Sequence, residues 1–134
     1  SIMPDNPDYQ LLINKALEAR SHAYVPYSGL HVGAALLCED GEVYTGANVE
    51  NVSYGAACCA ERSAVFHAVS EGKRKFSAIA VVSDMDKPIF PCGICRQVLA
   101  EFRIPIVAAG NRAGKYRTYR TEDLLPHAFT EFDA

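Results

Sequence analysis

Cys59-Ala60-Glu61 and, further along, Pro91-Cys92-Gly93-Ile94-Cys95 are the residues whose types and spacing could do chemistry. Three thiolates can hold a Zn²⁺ and leave its fourth tetrahedral position to water, the arrangement of a catalytic site and not of a closed structural one. Glu61 would then stand beside that water as a proton carrier. A Cys or His ligand with Glu two residues on, followed later by P-C-x-x-C, suits hydrolytic removal of an amino group from a nucleobase. In such a reaction one group takes a proton from water, protonates a ring nitrogen and delivers a proton to departing ammonia. A carboxylate with a pKa between its partners can serve all three transfers.

Other readings of the same cysteines must be weighed. Cys92-x-x-Cys95 alone could be a redox pair, but that chemistry leaves Cys59 and Glu61 unexplained. A structural zinc would need Cys38, Cys58 or one of the four histidines to close the fourth position. Cys58 is a poor candidate, because two adjacent residues rarely turn both side chains to one small ion. His67 lies too far along its helix from Cys59, and His22, His31 and His127 have no metal-ligand spacing with any other residue. Cys38 and Cys58 read as small buried side chains.

These side chains need elements to position them. Asn6-Pro7 reads as a helix start, and the one-sided apolar pattern that follows predicts a helix from about Pro7 to His22. The turn-rich stretch Tyr24 to Gly29 is a loop. Val32 to Cys38 and Val43 to Val49 are strands joined through Asp40-Gly41. A helix spans about Cys59 to Ser70, ended by Gly72, and another runs from Cys92 or Gly93 to Phe102. Ala78 to Ser83 is a buried parallel strand, Ile104 to Ala109 and Lys115 to Tyr119 are two more strands, and Glu122 to Leu125 starts a last short helix. Two sulfurs three residues apart on a helix's first turn lie on one side. If Cys59 also opens its helix, two positive helix ends face the metal and help to stabilise the thiolate cluster. Arg62 could add a hydrogen bond to a thiolate and lower its basicity.

The β-α-β-α-β middle calls for parallel neighbours with right-handed crossovers, within a mixed sheet of five strands carrying helices on both faces. The 134 residues suit one compact domain spanning 1–134. Their 49% hydrophobic and 22% charged composition favours a globule over disorder. A net charge of −3 argues against nucleic acid as the main ligand. The basic run Arg112, Lys115, Arg117 and Arg120 reads as a solvated hairpin face. No stretch has the length and apolarity to span a membrane. Free thiols and thiolate ligands point to a reducing compartment such as the cytoplasm.

At these residues the chain resembles the small, homotetrameric, zinc-dependent cytidine deaminases, and the likeness extends over nearly the full length. Pro26-Tyr27-Ser28, Val32-Gly33-Ala34-Ala35, Asn48-Val49-Glu50-Asn51, Cys59-Ala60-Glu61-Arg62, Pro91 to Gln97, and Leu124-Leu125-Pro126 before Phe129 carry it. The resemblance implies a three-layer α-β-α fold and deamination of cytidine and 2′-deoxycytidine in pyrimidine salvage. It implies one zinc per subunit on Cys59, Cys92 and Cys95, with Glu61 catalytic. Asn48 and Glu50 look like the ribose-binding pair, Ala60 like the residue whose N–H holds the base carbonyl, and Phe129 like the aromatic that reaches a neighbouring subunit's pocket. The chain departs from the family at Leu30, where Phe usually lines the base pocket, and at Phe90, where Ser is common. Both departures bear on substrate preference. Related readings are a blasticidin S type deaminase and, from another class, a non-catalytic zinc-stabilised assembly protein.

Overall fold

The run Val32–Cys38 lacks the polar alternation of a half-exposed strand. In the computed structural model, which describes residues 7–132, it is an interior strand, β1, buried along its whole length. The turn Glu39-Asp40-Gly41, with Gly41 at φ 94°, returns the chain as β2 (Val43–Ala47), antiparallel to β1. Strand β3 (Phe76–Ser83) lies on the other side of β1 and is also antiparallel to it. Strand β4 (Ile106–Gly110) runs parallel to β3, and β5 (Tyr116–Arg120) antiparallel to β4, so the sheet order is β2-β1-β3-β4-β5.

Helices cover both faces. Helix α1 (Tyr9–Arg20) turns Leu12, Ile13 and Ala16 onto Ala35, Leu37, Ala80, Val82 and Ala108. On the opposite face α2 (Ala60–Ser70) and α3 (Gly93–Glu101) bring Ala64, Val65, Ala68 and Leu99 onto Ala34, Leu36, Ile79, Val81 and Val107. A short α4 (Thr121–Leu124) follows β5. This is the expected three-layer α-β-α arrangement around a mixed five-stranded sheet.

Two glycines set how closely the layers approach. A Cβ on Gly33 would lie 2.0 Å from the Ala16 carbonyl oxygen, and one on Gly46 would lie 2.4 Å from the Ala64 nitrogen. Each strand therefore meets its helix backbone to backbone.

The expectation of parallel neighbours holds only for β3 and β4. Strands β2 and β3 are parallel but not adjacent, because β1, bound to β2 by a tight hairpin, lies between them. Strand β2 also stops at Ala47, short of Val49: the Asn48 side chain takes over the ladder by accepting from the Val32 N–H at 2.8 Å. Helix α1 is capped by Asp8, whose carboxylate accepts from the Leu11 N–H at 3.0 Å, and it ends at Arg20. The expected cap Asn6 lies outside the described residues. Strand β4 begins two residues later than Ile104, because the Ile104 N–H is spent on the Leu99 carbonyl at the end of α3. The basic run is the largely exposed hairpin face expected, with Arg117 and Arg120 in solvent.

Gly46→Ala is predicted to destabilise the protein by about 1–3 kcal/mol, the usual cost of forcing extra volume between packed elements. Gly55→Ala, whose new Cβ would meet nothing within 4 Å, should leave stability close to wild type. Urea denaturation of the two variants checks this, and equal midpoints would contradict it.

Candidate active site

Both CxE and CxxC sit at helix starts. Cys59 is the N-cap of α2 and Cys92 that of α3, each in extended backbone conformation with no side-chain capping bond, so both sulfurs are free to turn elsewhere. Cys95, buried on the first turn of α3, lies on the same side as Cys92. The sulfurs of Cys59, Cys92 and Cys95 all lie within 4.8 Å of one another, and those of Cys59 and Cys92 are 3.7 Å apart. Sulfurs bound to one tetrahedral zinc stand about 3.8 Å apart, given a Zn–S bond near 2.3 Å. The donor set and its spacing therefore fit zinc.

The electrostatics favour thiolate at Cys59. A hydrogen bond from Cys95, then the Arg62 guanidinium, hold the Cys59 thiol down at about 5 against the opposing effect of burial. Cys95 is pushed up by the same bond and by its burial. Arg62 Nη2 lies 3.4 Å from Cys59 Sγ, and that contact raises the guanidinium's own pKa. Among the described residues the Arg62 Nε is buried without a partner.

Glu61, in the first turn of α2, is a carboxyl only 4% exposed. Burial pushes it up to about 7, and the neighbouring Cys59 charge adds to the rise. A carboxyl poised near neutrality can both accept and return a proton. Ala60, fully buried at the first helical position, has an N–H with no partner inside the helix.

A second group of predicted residues is tied to this one through the backbone. Val49 and Cys58 exchange two N–H···O bonds of 2.9 Å, and Tyr24 pairs with Val49 on its other side. Asn48 and Glu50 flank Val49 and so share a face. The Asn48 amide accepts from the Val32 N–H and donates to the Leu30 carbonyl at 2.9 Å. Glu50 Oε1 accepts from the Tyr27 and Ser28 N–H groups at 3.0 and 3.1 Å, and Oε2 accepts from the Ser28 hydroxyl at 2.5 Å. The Ser28 bond leads in holding the Glu50 carboxyl below the usual range. Among the described residues this leaves one donor on Asn48 and one acceptor on Glu50, which match the acceptor and donor of a single hydroxyl. Leu30 is half-buried against the core cluster beneath.

Phe129 stands on a third segment, 62% exposed, with its ring 6.2 Å from that of Phe132 and its carbonyl accepting from Gln97 Nε2 at 2.6 Å. The remaining cysteines and two of the histidines have other partners. Cys58 Sγ faces the Cys59 carbonyl and the Ser63 hydroxyl, and Cys38 lies in the core. His31 pairs with Asp84 at 2.8 Å, and His67 Nδ1 lies 3.2 Å from the Thr45 carbonyl.

Three contributors carried no role in the sequence reading. Ser28 clamps Glu50, Asp84 holds both the N–H and the ring of His31, and Arg96 bonds the Pro91 carbonyl at 2.7 Å and the Leu124 carbonyl at 2.8 Å. Ser28 and Arg96 stood inside the motifs, but their partners are set by tertiary structure. A cleft of about 520 Å³ lies at the other end of α3 among Leu99, Arg103, Ile104, Arg120 and Leu125, and includes none of the site residues described above. The chemistry follows the donors and not that cleft.

Comparison with known proteins agrees with this geometry. Residues 7–111 match the family model described as the cytidine and deoxycytidylate deaminase zinc-binding region. A cytidine deaminase of Halalkalibacterium halodurans is 54% identical over 129 residues, covering 94% of this chain and 97% of that protein. The crystal structure of cytidine deaminase from Burkholderia pseudomallei superposes with a TM-score of 0.87 at 50% identity, over 90% of this chain and 98% of that one. A blasticidin-S deaminase of Bacillus cereus is 30% identical over 108 residues, covering 75% of this chain and 77% of that protein. Three clustered thiols at two helix starts, a buried glutamate beside them and near full-length likeness at this identity lead to one conclusion: the chain belongs to the zinc-binding cytidine and deoxycytidylate deaminase family.

Proposed function

We propose that the protein hydrolytically deaminates cytidine and 2′-deoxycytidine to uridine, 2′-deoxyuridine and ammonia, serving pyrimidine salvage in the cytoplasm. The observation that carries this reading is the buried Glu61 two residues from Cys59, within the three-sulfur cluster. Cys59, Cys92 and Cys95 would hold the zinc, which when bound would supply the Lewis acid needed to activate water at neutral pH. Glu61 carries protons to N3 of the base and to the departing amine. The Ala60 N–H holds the base carbonyl, Leu30 packs at the base, and Asn48 with Glu50 takes one ribose hydroxyl as acceptor and donor. Three thiolates over-neutralise Zn²⁺, and the Arg62 guanidinium on Cys59 offsets part of that excess.

The blasticidin S reading is disfavoured, since the identity to the cytidine deaminase is 54% against 30% to the blasticidin-S deaminase. A non-catalytic assembly protein would have no use for a buried carboxyl beside its metal. The net charge of −3 speaks against a nucleic-acid strand as substrate. A homotetramer with pockets shared between subunits is supported by exposed apolar side chains near the site and on the C-terminal segment: Val52 and Tyr54 are each 79% exposed and Phe132 is 89% exposed.

Metal analysis of the purified protein should find about one zinc per chain, as a three-thiolate site requires. Cys92→Ala should lower both zinc content and thermal stability, because binding is coupled to folding, whereas Cys58→Ser should keep the metal. Zinc lost from the Cys58 variant and kept in a Cys59→Ser variant would move the ligand by one residue.

Glu61→Gln should keep fold and zinc yet lose turnover of cytidine by roughly 10⁴-fold or more, since one carboxylate serves several transfers each within the range of general acid–base catalysis. The loss should fall on kcat more than on substrate affinity, as read by the ultraviolet absorbance change. A zinc-loaded variant within about tenfold of wild type would place the proton route elsewhere.

Phe129→Ala should raise KM for cytidine while sparing zinc. Light scattering that finds a fully active monomer would overturn the shared pocket.

A further inference from the structure

Arg96 is half-buried in α3, one residue after the ligand Cys95, and its guanidinium spans two segments that the chain places far apart in sequence. Nε donates to the carbonyl of Pro91, the residue before Cys92, at 2.7 Å, and Nη1 donates to the carbonyl of Leu124 at 2.8 Å. The next residue, Gln97, donates to the Phe129 carbonyl at 2.6 Å. Among the described residues, these two side chains make the hydrogen bonds that reach residues 124 to 132 from other elements. That stretch has no regular structure after Leu124, and His127 within it sits at φ 56°. Its position thus depends on bonds rooted in α3.

We propose that Arg96 is a positioning residue that joins the metal-ligand loop to the C-terminal arm, so that zinc retention and the order of the arm are coupled. Zinc on Cys92 and Cys95 pins the Pro91–Cys92 peptide. A pinned Pro91 carbonyl fixes one end of the guanidinium, whose rigid fork then fixes Leu124 at the other. Linkage makes the coupling reciprocal: an ordered arm holds the fork in place and disfavours the open ligand loop. Gln97 differs from Arg96 in touching the arm alone. The inference rests on the zinc site, not on the identity of the substrate.

The test uses the full-length, zinc-loaded protein without nucleoside, so a failure of the deaminase reading would appear in turnover and leave both readouts standing. Hydrogen exchange of the amides at residues 127 to 132 is measured beside the rate at which zinc passes to a competing chelator. Arg96→Lys, which keeps the charge but cannot bridge both carbonyls, and Arg96→Ala should each speed arm exchange about tenfold, the loss of one charge-assisted bond. Both should also release zinc about tenfold faster, at the low end for an outer partner of a metal site. Amides in β1 and β3 should keep their protection. Gln97→Ala should loosen the arm and, acting on zinc only through the arm, speed zinc release by less than Arg96→Ala does. Zinc release from Arg96→Lys within twofold of wild type, or an unchanged arm, would overturn the coupling; so would Gln97→Ala matching Arg96→Ala in both readouts.

Discussion

Three sulfurs within 4.8 Å of one another, all able to carry negative charge, are the constraint on which the rest of the structure depends. Such a cluster must be held against its own repulsion. The fold does so by starting two helices at the same place: Cys59 and Cys92 are N-caps, so the positive ends of α2 and α3 converge on the sulfurs. Arg62 adds a full positive charge to Cys59 from the same helix turn. For two helix starts to meet, α2 and α3 must lie on one face of the sheet with their N-termini together. Parallel β3 and β4, joined through α3, and β2 and β3, joined through α2 across β1, provide that arrangement. The close seating of α2 on Gly46 fixes the depth at which Glu61 and Cys59 stand.

What the sequence made legible were features whose cause is local. Gly41 and Gly72 mark a turn and a helix end because both positions need positive φ, which glycine adopts without strain. After α2 the Gly72 and Lys73 N–H groups bond back to Val69 and Ala68, the double bond pattern of a glycine-ended helix. Helix α3 ends with the same pair of bonds, from Arg103 and Ile104, but with Arg103 at φ 53° in the glycine position. Nothing in an arginine announces that role. The position of β1 between β2 and β3 was equally hidden. Helical order along the chain says that β2-α2-β3 is a parallel crossover, not how many strands it steps over.

The site divides in the same way. Cys59, Glu61, Cys92 and Cys95 were readable because metal chemistry demands those residue types at short spacings. Asn48 and Glu50 rested on resemblance, since an amide and a carboxylate near a strand end are common. Their surroundings show why these types stand there. Asn48 replaces a rung of the β1-β2 ladder with its side chain, and Glu50 gathers the Tyr27–Ser28 loop, so each has a structural task. Arg96 and Ser28 belong to a further layer whose partners are distant in sequence, and no spacing rule reaches them.

Those structural tasks have a consequence for recognition. A polar side chain that must be fixed when a ligand arrives gives up conformational freedom at that moment, and affinity falls by the cost. Glu50 has already given it up: two N–H groups and one hydroxyl hold its carboxylate, and one of its roughly four lone-pair sites remains. Asn48 likewise spends one lone pair of its oxygen and one amide hydrogen on Val32 and Leu30, and keeps one hydrogen to donate. The Val49–Cys58 pairing then ties this prepared donor and acceptor to the residue next to the thiolate cluster. The distance between a hydroxyl held at one end and a reacting carbon held at the other is therefore set by backbone hydrogen bonds and not by flexible side chains. Placement of that kind lowers the barrier by having the orientation in place beforehand.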